Sequence, residues 1–112
     1  MHLEVSFRNL GPREEVRKRA AFLFDKLGRF LDPASQGQLT VAVEHGLCIV
    51  EIVLRSHGNT YKVQEEDNEL RAALDKSFHT LEHQLRKAKE RRTQHHARVA
   101  EETDEPGPPS QY

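Results

Sequence analysis

Between Glu66 and Arg98 the chain carries one apolar stripe at helical spacing, and no other feature limits its possible folds as tightly. Leu70, Leu74, Phe78, Leu81 and Leu85 recur at steps of four and three. That spacing predicts one long amphipathic helix over residues 66–98. At about 100° per residue, Lys76, Thr80, His83, Lys87, Arg91, Gln94 and Arg98 fall on the opposite side. The end of the helix turns basic: Arg86, Lys87, Lys89, Arg91, Arg92 and Arg98 stand against Glu90 alone, a net +5. A helix packed by one face and basic on the other suits an anionic partner, phosphate first.

Such a stripe needs an apolar surface to cover, and the preceding residues predict one. His2 to Arg8 alternates, with Leu3, Val5 and Phe7 on one side. Gly11-Pro12 then opens a helix, with Pro12 at its first position and Glu14 and Glu15 in the first turn. Val16, Ala20, Leu23, Phe24, Leu27, Phe30 and Leu31 form its apolar face, and Asp32-Pro33 closes it. Leu39, Val41 and Val43 alternate again. His45-Gly46 turns into a third strand with Cys48, Val50, Ile52 and Leu54 inward. Ser56-His57-Gly58-Asn59 makes a second hairpin turn into a short fourth strand, Thr60 to Gln64. Asp67 or Asn68 caps the long helix.

The resulting order, β-α-β-β-β-α, describes an α+β domain: a four-stranded sheet with both helices on one face. Glu4, Ser6, Arg8, Thr40, Glu51, Arg55 and Lys62 then line the solvent face. At 112 residues the chain holds one domain. Its expected extent is residues 1–98, followed over 99–112 by an acidic, Pro-rich, disordered tail. No apolar run approaches the ~20 residues that span a bilayer. MHLEVSFRN lacks the charged and apolar regions of a secretory signal, and Cys48 has no partner for an intrachain disulfide. A cytoplasmic protein without membrane association is expected.

Charge distribution says more than the net of -1. Residues 8–29 carry a net +4, residues 65–69 hold four acids, and residues 99–112 hold four more with no base. If both helices cover one sheet face, Lys18, Lys26 and Arg29 share an outer surface with Lys87 and Arg91, a cationic ridge suited to a phosphate backbone. Arg86, Lys89 and Arg92 flank it and Arg98 extends it. The competing reading is a solvated helix end whose cations complement the macrodipole. Phe22 lies among bases, away from the apolar face, where it either stacks on a nucleobase or covers the flank of the core.

Other chemistries find little support. His79 and His83 stand four apart, but Thr80-Leu81-Glu82 between them is not a zinc-protease pattern and no third ligand has recognisable spacing. The chain has no Gly-rich phosphate loop and no G-x-S-x-G, and a helix N-terminus accounts for Glu65, Glu66 and Asp67. A non-enzyme is expected, without metal, cofactor or small-molecule substrate.

The motif Glu66-Asp67-Asn68-Glu69-Leu70-Arg71-Ala72-Ala73-Leu74-Asp75 continues through Leu81-Glu82-His83-Gln84-Leu85-Arg86-Lys87-Ala88-Lys89-Glu90. Together with Arg8-Asn9-Leu10, Val16-Arg17 and Asp25-Lys26-Leu27, it resembles the short ribosome hibernation promoting factors and ribosome-associated inhibitor A, formerly called sigma-54 modulation proteins. The resemblance covers about residues 1–92. It implies a fold like a double-stranded-RNA-binding domain. It also implies a protein that occupies the mRNA and tRNA channel of the small ribosomal subunit, alone or in the whole ribosome, and keeps idle ribosomes inactive under stress or in stationary phase. By position, the resemblance assigns rRNA contact to Arg17, Lys26, Arg86, Lys87 and Lys89. The helical wheel adds Lys18, Arg29, Lys76, His83, Arg91, Arg92 and Arg98, and sets Lys89 nearer the buried stripe. A monomer off the ribosome is expected. This chain departs from the family where His83 and Thr80 replace usual bases and Arg71 replaces a common tyrosine. The alternatives are a general double-stranded-RNA binder and a protein-interaction regulatory module.

Overall fold

A computed structural model describes the backbone of residues 1–102 and the side chains of residues 1–92. Strand β1 (His2–Arg8) leads to helix α1 (Glu14–Asp25) and a 3-10 turn (Gly28–Phe30). Strands β2 (Gln36–Glu44), β3 (Leu47–Ser56) and β4 (Asn59–Asp67) follow, and then helix α2 (Leu70–Glu102). The order is the expected β-α-β-β-β-α. The sheet runs β1-β2-β3-β4, with β1 parallel to β2 and the other pairs antiparallel. A parallel pair cannot be joined by a tight turn, so α1 serves as the crossover between β1 and β2.

Both hairpins close through two-residue loops, Glu44 pairing with Leu47 and Ser56 with Asn59. His45 and Gly46 have φ of 54° and 80°, and His57 and Gly58 have 53° and 77°. Positive φ at both central positions is the type I′ turn, whose twist matches the flanking strands. A Cβ on Gly46 or Gly58 would meet nothing within 4 Å, so backbone conformation alone demands glycine there.

The alternating strands place one apolar face beneath the helices. Leu39, Val41, Val50, Ile52 and Leu54 are fully buried there, with Val63 beside them. Helix α1 adds Val16, Ala20 and Phe24, and α2 adds Leu74, Phe78, Leu81 and Leu85. On the opposite face Glu4, Ser6, Arg8, Glu51, Arg55 and Lys62 are exposed, and Thr40 is half-buried. Ala88 is the last buried residue of α2 among the described side chains, and the helical backbone continues to Glu102.

Four boundaries differ from the sequence expectation. Helix α1 starts at Glu14, with Arg13 at its N-cap and Pro12 outside it, and stops at Asp25 rather than Leu31. Beyond it the bonds tighten: Leu27 N–H donates to the Phe24 carbonyl and Phe30 N–H to that of Leu27. Gly28 weakens the α-helix at this point, and the three-residue period turns both Leu27 and Phe30 into the core. Strand β4 runs on to Asp67, because Glu65 and Asp67 pair with Val50 and Cys48. The long helix therefore begins at Leu70, not Glu66. Asp67 Oδ1 accepts the Glu69 N–H at 2.9 Å just ahead of it, satisfying a backbone donor beside the helix start. The expected tail over 99–112 lies outside the described residues apart from the helical backbone through Glu102.

A buried polar knot joins the α1–β2 connection to the second hairpin. Ser35 Oγ donates to Asp32 Oδ1 at 2.9 Å and lies 2.7 Å from Ser56 Oγ, while the His57 N–H donates to Asp32 Oδ2 at 3.1 Å. The Ser35 hydroxyl is the chief cause holding the Asp32 carboxyl below the usual carboxylate range. Partial desolvation opposes it, and the His57 N–H and imidazole assist it. A carboxyl with a depressed folded-state pKa stabilises the fold above its unfolded value, and that stabilisation is lost as pH falls through the folded value. Ser35→Ala should raise the Asp32 midpoint in an NMR titration and move the onset of acid unfolding to higher pH. Gly58→Ala should cost about 1 kcal/mol in urea unfolding, the penalty of a left-handed residue carrying a Cβ.

Candidate nucleic-acid interface

Where two helices lie side by side on a sheet, their outward charges end up along a shared seam. Two contacts fix that seam. Near the start of α2, Arg19 of α1 grips Asp75 with both arms, Nε to Oδ1 and Nη2 to Oδ2, each at 3.2 Å. Farther along, the ring of Phe30, only 4% exposed, faces three cations: Arg29 at 4.8 Å, Arg86 at 5.9 Å and Lys89 at 5.7 Å from its centroid. One cation comes from the 3-10 turn and two from α2, and the ring quadrupole stabilises all three. Arg86 also pairs with Glu82 at 2.8 Å, an exposed i,i+4 contact weak enough to yield to a phosphate.

Lys89 is exposed, on the side of α2 nearer the buried stripe. At its level α2 runs beside the 3-10 turn, so the Lys89 ammonium sits over the Phe30 ring at the surface.

The opposite flank of α2 faces β4. Lys76 Nζ donates to the Glu66 carbonyl at 2.8 Å and pairs with Asp67 at 3.4 Å, and Thr80 Oγ1 donates to Glu65 Oε2 at 2.8 Å. The Glu69 N–H first, then Lys76, holds the Asp67 carboxyl below its usual range against some desolvation. Helical period places Lys87 and Arg91 on this same flank. Both are exposed, and neither has an ion pair or hydrogen bond through its side chain among the described residues. The cations of α2 thus form two rows, Arg86 and Lys89 toward the seam and Lys87 and Arg91 toward β4. His83 is exposed on the crest between them.

The remaining residues named from sequence fall in separate places. Lys26 lies 5.1 Å from the centroid of the exposed Phe22 ring. Lys18 is exposed in a groove between the helices that also contains Arg13 and Arg71. Arg17 donates from Nη1 to the Val5 carbonyl at 3.3 Å and covers Phe7 at 5.2 Å, against β1. Arg92 is half-buried, and Arg98 lies outside the described side chains. Sequence reasoning missed Arg19 and Phe30. The Arg19–Asp75 pair is far apart in the chain and carries no local signal, and Phe30 looked like ordinary core. Among the described residues no group of three or more His, Cys, Asp or Glu is placed to hold a metal, and no helix is long and apolar enough to cross a membrane.

Comparison with known proteins adds to this geometry. A family model described as Sigma 54 modulation protein / S30EA ribosomal protein matches residues 3–93. No curated protein matches the chain at significant sequence similarity. The N-terminal domain of Protein Y from Thermus thermophilus has a similar structure, with a TM-score of 0.71 and 24% identity, covering 78% of this chain and 98% of that one. A ribosomal subunit interface protein from Coxiella burnetii is also similar, at a TM-score of 0.66 and 24% identity, covering 80% and 98%. At that identity the likeness is one of fold.

The seam has its own energetic signature. A double-mutant cycle on Arg19→Ala and Asp75→Ala should give a coupling of about 0.5 kcal/mol in urea unfolding, the scale of a partly exposed ion pair. A coupling indistinguishable from zero would leave apolar packing alone to align the helices.

Proposed function

We propose a function from one premise: the chain belongs to the Sigma 54 modulation protein / S30EA ribosomal protein family. The protein is a translation inhibitor and hibernation factor. It binds small-subunit rRNA in the mRNA and tRNA channel and keeps idle ribosomes inactive under stress or in stationary phase. The observation that carries this reading is the convergence of Arg29, Arg86 and Lys89 on one ring, flanked by the exposed Lys87 and Arg91. Cations gathered from two elements make a surface for closely spaced phosphates. The fold it shares with a ribosomal subunit interface protein points the same way.

The mechanism is occlusion. Long-range attraction brings the basic rows to rRNA, and displaced counterions supply much of the affinity. The domain, 55 × 26 × 17 Å, then fills space that mRNA and tRNA need. Shape selects the site, because structured RNA is read by form and backbone more than by base edges. No reaction is involved: the protein acts in the cytoplasm as a monomer before binding, without cofactor or small-molecule substrate. Residues 1–98 constitute the binding domain, with Arg17, Lys18, Lys26, Lys76, His83, Arg92 and Arg98 bordering the contact.

Sucrose-gradient sedimentation with ribosomes and separated subunits tests this. The protein should migrate with the small subunit and with whole ribosomes. Lys87→Glu/Arg91→Glu and Arg86→Glu/Lys89→Glu should each abolish co-migration at moderate salt. Each phosphate contact removed by neutralisation should lower the log–log salt slope by ~1. Equal affinity for naked duplex RNA would make it a general double-stranded-RNA binder. Protein remaining at the top of a low-salt gradient would shift the assignment to a protein-interaction module.

A further inference from the structure

At the N-terminal ends of α1 and α2 the two helices part around a groove of about 660 Å³. Val16, Leu70 and Leu74 form its apolar floor, and Glu15 is the one carboxylate in its lining. Arg13, Lys18 and Arg71 stand around the rim, and their side chains make no hydrogen bond or ion pair among the described residues. Arg19 is fixed in the wall by its two-armed contact with Asp75. Against this wall stands Phe22, 52% exposed, a large aromatic on a helix whose core face is already complete. Arg19 and Lys26 approach its ring to 5.7 Å and 5.1 Å.

A phosphate surface needs no apolar floor or exposed ring, and an apolar peptide needs no rim of unpaired cations. A flat, apolar-faced group attached to phosphates satisfies both. We propose that this groove takes an unpaired nucleotide of RNA, its base stacked on Phe22 and its phosphates met by Arg13, Lys18 and Arg71. The proposal rests on the RNA-binding function argued above and extends it to a second contact, at the opposite end of the helical seam from Phe30. Duplex RNA keeps its base faces inside the helix, so the segment must be a loop, bulge or single strand. Aromatic stacking accepts any base, and a cationic groove follows the backbone. Lys26 reaches the ring without an ion pair and can swing from it to a neighbouring phosphate as the base arrives. Arg19, anchored by Asp75, stays in place and bounds the stack.

The chain contains no tryptophan, so Phe22→Trp installs a single indole at the site. Its fluorescence is followed on titration with a single-stranded oligoribonucleotide, a blunt RNA duplex of equal length, a free mononucleotide, and ribosomes. The single strand should quench at a concentration about 10-fold below that of the duplex or the mononucleotide, and Phe22→Ala should weaken single-strand binding by about 10-fold, the scale of one stacked base. Phe22→Tyr should restore it. Ribosomes should quench as well. Equal quenching by duplex and single strand overturns the proposal, as does quenching by mononucleotide at the same concentration, which would make the groove a small-ligand pocket. Ribosome co-migration without quenching overturns the groove and leaves the ridge intact. Quenching by single-stranded RNA without co-migration removes the ribosomal function and leaves the groove standing.

Discussion

The structure depends on covering one face of a four-stranded sheet. Leu39, Val41, Val50, Ile52 and Leu54 form a strip that no water reaches. That exclusion, worth about 25 cal/mol for each Å² of apolar surface removed from water, requires two helices laid side by side. Once α1 and α2 occupy that position, their solvent faces are forced together. The Arg19–Asp75 grip and the cations over Phe30 follow from a packing problem solved by leucine, valine and phenylalanine. Charge refines the alignment, and apolar burial creates it.

Aromatic rings hold the basic groups of this protein in an unusual share of cases. Arg17 lies over Phe7, Arg19 and Lys26 over Phe22, and Arg29, Arg86 and Lys89 over Phe30. A ring attracts a cation without neutralising it, whereas a carboxylate cancels the charge that a phosphate would seek. Cations restrained in this way lose less side-chain freedom on binding. Two of the carboxylate partners, Asp75 for Arg19 and Asp67 for Lys76, belong to joints between elements, and Glu82 pairs with Arg86 within α2.

Much of this architecture was legible in the residues. Period-two alternation in Leu39–Val43 and Cys48–Leu54, the His-Gly turns and the Leu70–Leu85 stripe each specify their element locally, and all appear where the spacing placed them. The errors concern what a local pattern cannot contain. Leu27, Phe30 and Leu31 look like more helix, yet Gly28 and the pull of both Leu27 and Phe30 toward the core tighten the chain into a 3-10 turn. The acids at 65–67 look like a helix start, but pairing with β3 keeps them in strand. The candidate interface was legible as composition and hidden as geometry. A helical wheel describes one helix in isolation, so it separates Lys87 and Arg91 from the flanking Arg86 and Lys89 but cannot show that Arg86 and Lys89 meet Phe30 of the neighbouring turn.

The parallel pairing of β1 with β2 matters for how the protein assembles. The two hairpins join strands adjacent in sequence, whereas Leu3 must find Gly37 and Phe7 must find Val41 across the whole of α1. Contacts that close long loops form later, after local pairs have limited the search. On topology alone, the β2-β3-β4 meander with α2 on its surface is the expected nucleus and β1 with α1 the later addition. Loss of that later unit would take away α1, one wall of the helical seam, and leave the hairpins and the long helix in place.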